Sequence, residues 1–501
     1  MKKLPFVIFI SVILLSSCDW LFEDEKGSET TKKFWAQDLT KEYGDKGRFY
    51  QLNADLLAEN QYCKVWAETT SGVSRETAQK VAAEYLNVRS KMLDAFGITF
   101  DMGIYGKLDT IQLADAYADA DGKLTILLLD IRDGYQKGVN DAAVGGYFYM
   151  GDFFDQQSSN LCDMICIDTN PGKPGEEESN TTLAHELQHM MNFITSVQMR
   201  VEDRTLYPMD TWIDEGLSSA AEYVYTGEHL LNRWGWYYLN GDGTNIKSSI
   251  DKGNNFFVWG NREDENQYAI LDDYATVYLF FQWLRIQSNG SGIYKEIIGS
   301  NEYNYLAVTN AASSINTSYK DNWGALLGDW LTANYIYNST GIHGYKNDFE
   351  FYNKDNELLT IKGRNILSTN ENNVKLYPGE GVFSKINGSY STPADSGNIK
   401  YSNLTSALLT YNKSTVSYVY NYNDKGEPIS MRPPDTETGA VTGVTVSANV
   451  NIAAPVNGRY LTAPGLAGPY WIGAGDVRRS GAVNLSPAGV PRLLNSAAAG
   501  E

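Results

Sequence analysis

The stretch Thr181 to Phe193, TTLAHELQHMMNF, constrains this chain more than any other. Wound as a helix, it sets His185 and His189 one turn apart on the same face. Their Cβ atoms then stand about 5–6 Å apart, near enough for both imidazoles to grip one ion. Glu186, one position on, is turned aside from that pair, so its carboxylate can reach a water beside the ion without binding the ion itself. The local sequence favours the helix. Ser179 or Asn180 is the expected N-cap, and the acidic run Glu176, Glu177, Glu178 suits the positive end of the helix dipole. Leu183, Leu187, Met190, Met191 and Phe193 supply an apolar stripe.

At 501 residues the chain exceeds one ordinary compact domain, and 43% hydrophobic with 20% charged residues is a composition that folds. A formal net charge of −20 repels nucleic acid and anionic lipid, so no nucleic-acid partner is expected. The N-terminus reads Met1-Lys2-Lys3, then a mostly apolar run from Leu4 to Leu15, then Ser16-Ser17-Cys18. At 12 residues the apolar run is too short to span a bilayer and suits a signal segment. Leu15-Ser16-Ser17-Cys18 resembles a bacterial lipobox, in which cleavage exposes Cys18 for acylation. The expectation is a signal peptide over 1–17 and a tether over 18–44. The body is then exported to the cell envelope and meets the membrane through the N-terminal lipid only. Cys63, Cys162 and Cys166 remain, an odd number that cannot close a complete disulfide framework. Cys162 and Cys166 sit in an apolar run that reads as a strand, where buried thiols are commoner than metal ligands.

Taken in order, the chain has an α+β pattern. Residues 49–68 suggest strands, and Ser74 to Phe96 shows helical spacing closed by Gly97. Asp119-Ala120-Asp121-Gly122 reads as a hairpin turn into the buried strand Leu124 to Leu129, since an EF-hand would need an acid at its twelfth position. Further strands are expected near 145–150 and 163–168, and Pro171 to Gly175 then breaks the chain ahead of the histidine helix. A loop over roughly 197–210 leads to Thr211-Trp212-Ile213-Asp214-Glu215-Gly216, and helical patterns follow at 273–286, 292–298 and 323–335. The expected divisions are an αβ part over 45–200, a mostly helical part over 201–345 and a β-rich region over 346–501.

Two histidines leave a catalytic zinc one protein ligand short. A metzincin would carry Gly at 192 and His at 195, whereas this chain has Asn192 and Thr195. A third histidine would have to be His229 or His343, neither in a recognisable setting. A carboxylate from a second helix is the other choice, and Glu215 lies 26 positions after His189.

HELQH followed by WIDEGLSSAAE resembles the gluzincin peptidases, where a Glu on a second helix supplies the third ligand. Together with GYFYMGD and DMICIDT ahead of the helix, the run is similar to the hyicolysin family of bacterial neutral metalloproteases, over roughly residues 45 to 340. The resemblance implies a zincin-like body, Zn²⁺ held by His185, His189 and Glu215, Glu186 as general base, and a peptide or protein substrate. Glu222, two helical turns after Glu215, is placed to accept a hydrogen bond from the far nitrogen of His185 or His189. Tyr274 in DDYATVYLFFQWL resembles the tyrosine that opens a Y-x-x-G helix in aminopeptidase-type gluzincins and would donate to a developing oxyanion. Val277 replaces the glycine, and Tyr278 is the substitute. Gly146, Tyr147 and Phe148 are the expected edge strand for an extended peptide. No G-x-M-E-N-type motif is present to hold a free amine, which ranks an aminopeptidase lower. The alternative from another class is an inactive zincin-like surface lipoprotein whose β-rich region binds or adheres to a partner.

Overall fold

Apolar runs in the first half of the chain build one mixed six-stranded sheet. The computed structural model describes residues 30–41, 45–97, 122–137, 143–153, 158–202, 205–239, 248, 250–254, 256–257, 269–348, 376–386, 392 and 394–404, 407–415, with two-residue strands at 351–352, 358–359, 366–367, 421–422, 428–429 and 450–451. The strands are β1 (Thr31–Gln37), β2 (Phe49–Glu59), β3 (Cys63–Glu68), β4 (Leu124–Leu129), β5 (Gly146–Phe148) and β6 (Met164–Asp168), in the order β1-β2-β3-β4-β6-β5. The β1/β2 and β2/β3 pairs are antiparallel, while β3, β4 and β6 run parallel. β5 returns antiparallel on β6 and forms the edge of the sheet among the described residues. β4, LTILLL, is buried at every position, as a strand flanked on both sides must be.

Helix α1 (Arg75–Phe96) carries the chain from β3 to β4 and buries Val81, Tyr85, Val88 and Met92. Ser74 caps it by accepting from the Thr77 amide, and Gly97 ends it at φ 74°, a conformation glycine adopts without a Cβ penalty. Helix α2 (Glu177–Met199) carries HELQH across the sheet and is buried from Ser179 to Val197.

The structure corrects four expectations. The N-cap of α2 is Glu176, not Ser179 or Asn180, and Glu177 and Glu178 form its acidic first turn. Three carboxylates at the positive pole allow the helix to start earlier than the hydroxyl and amide residues suggested. Residues 31–37, read as tether, pair with β2 as β1. Asp119 to Asp121 lie outside the described residues; the strand they precede, β4, has no antiparallel partner among the described residues, since both its edges are taken by the parallel strands β3 and β6. The expected loop after the histidine helix is partly a two-residue hairpin, Val201–Glu202 with Thr205–Leu206. Cys63, Cys162 and Cys166 are buried free thiols. Residues 1–17 and Cys18 are outside the described residues; among those described, no helix is long and apolar enough to cross a membrane.

The second half is helical: α3 (Thr211–Thr226), α4 (Leu231–Leu239), α5 (Ala269–Gln287), α6 (Gly292–Ile298), α7 (Tyr305–Ala312) and α8 (Trp323–Ile336). Aromatic residues lock it together. Trp212, Phe280, Trp323 and Trp330 surround Phe256 edge-to-face, with ring centroids 5.1–5.4 Å from it. The start of α3 is thereby fixed against α5 and α8. Strands β7 (Ile366–Leu367), β8 (Gly381–Lys385), β9 (Ile399–Asn403) and β10 (Ala407–Asn412) form a second sheet in the order β7-β8-β10-β9. It packs on α8 through the Tyr335 and Phe383 rings, stacked at 5.4 Å, and Leu409 and Tyr411 join the same buried cluster as the helices.

Asp152, beside β5, is 1% exposed and accepts from the amide and the side chain of Asn160. Burial pushes its carboxyl from 3.8 up to about 7, against the pull of the Asn160 bonds. Between those values the folded chain keeps a proton that the unfolded chain has released. Its contribution to stability is therefore full below pH 3.8 and is lost as pH rises through about 7. Asp152→Asn is expected to flatten the fall in unfolding free energy over this window by on the order of 1 kcal/mol per pH unit. Urea midpoints for both proteins at about pH 5 and about pH 8 check the difference.

Candidate metal centre

The i, i+4 spacing on α2 brings the His185 and His189 rings to a centroid distance of 4.8 Å, inclined at 72°. Helix α3 lies across them and sets Glu215 opposite, with Oε2 3.6 Å from His185 Nε2 and 3.7 Å from His189 Nε2. One ligand atom from each of the three residues falls within 4.8 Å of the others. Around a tetrahedral ion with bonds of about 2.0–2.2 Å, neighbouring ligand atoms stand about 3.4 Å apart, so these spacings suit a shared cation.

Glycine at 216 is what lets α3 pack so closely against α5. A Cβ on Gly216 would lie 2.3 Å from the Phe281 ring of α5, so the residue after the carboxylate has to be glycine for the helices to meet. On the other side, a Cβ on Gly146 would meet the Cys166 carbonyl at 2.8 Å and Thr182 at 2.9 Å, where β5 crosses α2.

The outer ring nitrogens are occupied. His185 Nδ1 is 2.8 Å from Glu222 Oε1, and His189 Nδ1 is 2.8 Å from Asp214 Oδ2. Each Nδ1–H donating to its carboxylate leaves Nε2 with a free lone pair facing Glu215. Ser218 Oγ also stands 3.0 Å from His189 Nδ1 and donates to the Asp214 carbonyl. Asp214 in turn accepts from Asn192, whose carbonyl oxygen accepts from Arg200, and Arg200 is anchored on the Ile298 and Ser300 carbonyls at 3.0 and 2.8 Å.

What remains unpaired is the inner set. His185 Nε2, His189 Nε2 and both Glu215 oxygens are buried with no hydrogen-bond partner among the described residues. Groups of this kind are rarely left so in a native interior. Burial drives the Glu215 and Glu222 carboxyls up to about 8 each, and neighbouring acids add to the rise. A divalent cation would relieve both the unpaired atoms and the crowded negative charge.

Glu186 is 2% exposed, stands outside the ligand triangle, and its Oε2 accepts from the Phe148 amide at 3.0 Å. Burial pushes its carboxyl up to about 7, opposed by His189 and by that amide. Phe148 lies on β5, which is an edge strand. Tyr274 on α5 is fully buried and interacts with the Glu215 carboxylate, which together with burial holds its phenol well above the ordinary value. Tyr278, one turn further, is turned away: its hydroxyl accepts from the Leu230 amide at 2.8 Å and contacts His229. His229 is engaged with Tyr278 and the Asp348 carbonyl, and His343 with Asp329, so neither joins the ligand group. Asp214 and Arg233 escaped the sequence reading. Asp214 adjoins Glu215 and in isolation reads as an ordinary acid of a helix first turn.

These residues define the class: a mixed α+β protein with a buried His-His-Glu group suited to a metal ion and a separate carboxylate beside it. Over 235 residues, 45% of its length, the chain is 32% identical to neutral metalloprotease ShpI of Staphylococcus hyicus, covering 49% of that protein. The chain thus spans about half the length of the curated relative it matches. No family model matches it. The relationship to neutral metalloproteases expected from the two motifs is borne out by this identity.

Removing the His189 partner isolates its contribution. Asp214→Ala is expected to weaken metal binding roughly 10–100-fold while the ligands stay in place. A competition titration with a chelating dye would show it, and unchanged affinity would mean that Ser218 suffices to hold the ring.

Proposed function

We propose that the chain is a zinc-dependent endopeptidase, exported and anchored through lipid at Cys18, that hydrolyses peptide bonds of protein substrates. One observation carries this reading: the Nδ1 atoms of both histidines are committed to carboxylates, while their Nε2 atoms and Glu215 converge unpaired on one point. His185, His189 and Glu215 would hold the ion. When bound, Zn²⁺ supplies Lewis acidity and a low-pKa water at neutral pH.

The chain's own residues supply the rest. Glu186, buried and held by the Phe148 amide, accepts a proton from the attacking water and returns it to the leaving amine. Its carboxyl, pushed up to about 7, is suited to both transfers near neutrality, and a nearby cation would shift it downward. Glu222 and Asp214 hold the imidazoles in one tautomer and orientation. Tyr274, whose phenol interacts with the Glu215 carboxylate, would donate to the oxygen that gains charge as the carbonyl is attacked. β5, the strand beside Glu186, would align an extended peptide along Gly146, Tyr147 and Phe148, with the Phe148 amide kept for Glu186.

The test is casein hydrolysis by protein lacking residues 1–17, with and without a chelator, alongside elemental analysis. Chelator-sensitive turnover restored by zinc is the expected result. Protein that holds stoichiometric zinc and cleaves nothing would favour a binding lipoprotein instead.

A further inference from the structure

Arg233, on α4, is 2% exposed, yet its Nε and Nη2 have no hydrogen-bond partner among the described residues. Its guanidinium carbon lies 4.5 Å from the centroid of the Tyr274 ring, the same Tyr274 whose phenol interacts with Glu215. The arginine therefore forms part of the wall beside the ligand group. It also acts electrostatically there: burial raises the Glu222 and Glu215 carboxyls, and the Arg233 charge pulls both back down.

A buried guanidinium without partners is costly, and interiors avoid it by pairing the charge. Most acid oxygens near the site are engaged on the histidine side, and Glu222 Oε2, like the guanidinium, is buried with no hydrogen-bond partner among the described residues. Glu222 Oε1 takes His185, Asp214 takes His189 and Asn192, and Glu215 faces the two Nε2 atoms. Among the described residues, no oxygen accepts a hydrogen bond from Arg233 Nε or Nη2. Its planar fork of N–H donors suits one kind of partner best, an oxygen of a carboxylate or of a polarised carbonyl, which it can grip with two parallel bonds.

We propose that Arg233 is a substrate-binding residue that receives a backbone oxygen of the peptide, either a carbonyl next to the scissile bond or a terminal carboxylate. This assignment rests on the peptidase reading above. Stacking on Tyr274 holds the guanidinium in a fixed plane, so substrate and phenol are registered to each other by one cation. Peptide lacking the oxygen would leave the charge buried and unpaired, which makes the site selective against it.

The experiment uses zinc-loaded protein lacking residues 1–17, as wild type, Arg233→Met and Arg233→Lys, with quenched fluorescent peptides and elemental analysis of each preparation. Arg233→Met is expected to hold one metal per chain and to lose on the order of 10²-fold in kcat/KM, carried mainly by KM. Arg233→Lys keeps the charge and guards against misfolding. It is expected to lose about tenfold, because a point charge does not replace the fork. Peptides ending one residue past the cleaved bond, as free acid and as amide, separate the two oxygen sources. Equal losses on both identify a carbonyl, and a loss confined to the acid identifies the carboxylate. Wild-type kcat/KM in Arg233→Met would overturn the proposal and mean that ordered water alone satisfies the guanidinium. Metal loss in parallel with activity would also overturn it, since Arg233 would then be supporting the ligands. Wild-type protein that binds zinc but cleaves no peptide would sink the peptidase reading itself, a result distinct from either.

Discussion

Glu186→Gln is expected to keep its metal and to lose roughly 10²–10⁴-fold in kcat, the range in which a positioned general base contributes. The glutamine is nearly isosteric, and its side-chain oxygen can still accept from the Phe148 amide that holds Glu186 Oε2 at 3.0 Å. What it cannot do is accept and return a proton. Because Glu186 lies outside the His185, His189 and Glu215 group, metal affinity should stay within a few-fold of wild type. Parallel measurement of metal content and turnover of a protein substrate separates the two roles. A Glu186→Gln protein that turns over normally would show that proton transfer is done by another group.

Glu215→Ala makes the opposite split. Its loss is expected to weaken metal binding on the order of 10²–10³-fold, if the roughly 10–16 kcal/mol of a four-ligand site is shared among its ligands, and to abolish turnover. A thermodynamic signature accompanies this and needs no substrate. In metal-free protein Glu215 is a buried carboxylate with both oxygens unpaired, its carboxyl driven up by burial, so its removal should cost little and can stabilise. Added zinc should then raise the melting temperature of wild type and leave the variant almost unmoved, because binding to the folded state contributes about 2.7 kcal/mol at a hundredfold excess over Kd. If zinc stabilises Glu215→Ala as much as wild type, the third ligand lies elsewhere. The two variants together test whether binding the ion and moving the proton are divided among the residues as the geometry divides them.

Much of the site is legible because it is local. The one-turn separation of His185 and His189 follows from helical pitch, and the seven-residue step from Glu215 to Glu222 puts both on one face of α3. Helix α1 was legible for the same reason, since Ser74 and Gly97 carry the chemistry of its two ends. Strand direction is different. A wholly apolar run such as LTILLL says only that both faces are covered, and the acids and glycine before it suggested a hairpin, whereas β4 runs parallel to β3 and β6. The start of α2 was misplaced because Ser179 and Asn180 are good caps in isolation, while the chain spends them inside the helix, buried at 8% and 5%. The exposed cap role falls to Glu176.

By itself the sequence determined which side chains were available for a metal and a proton, and that two helices would present them, because helical periodicity depends on neighbours within a few residues. The tertiary structure alone decided which partner each histidine received, that β5 would pin Glu186 through a backbone amide, that Gly216 would let α3 touch α5, and that Tyr274 rather than Tyr278 would face the ligands. It likewise left Arg233 buried, its Nε and Nη2 without a hydrogen-bond partner among the described residues. The physical reason is distance along the chain: such contacts join residues tens of positions apart, and only the packing of sheet and helices around a shared core fixes them.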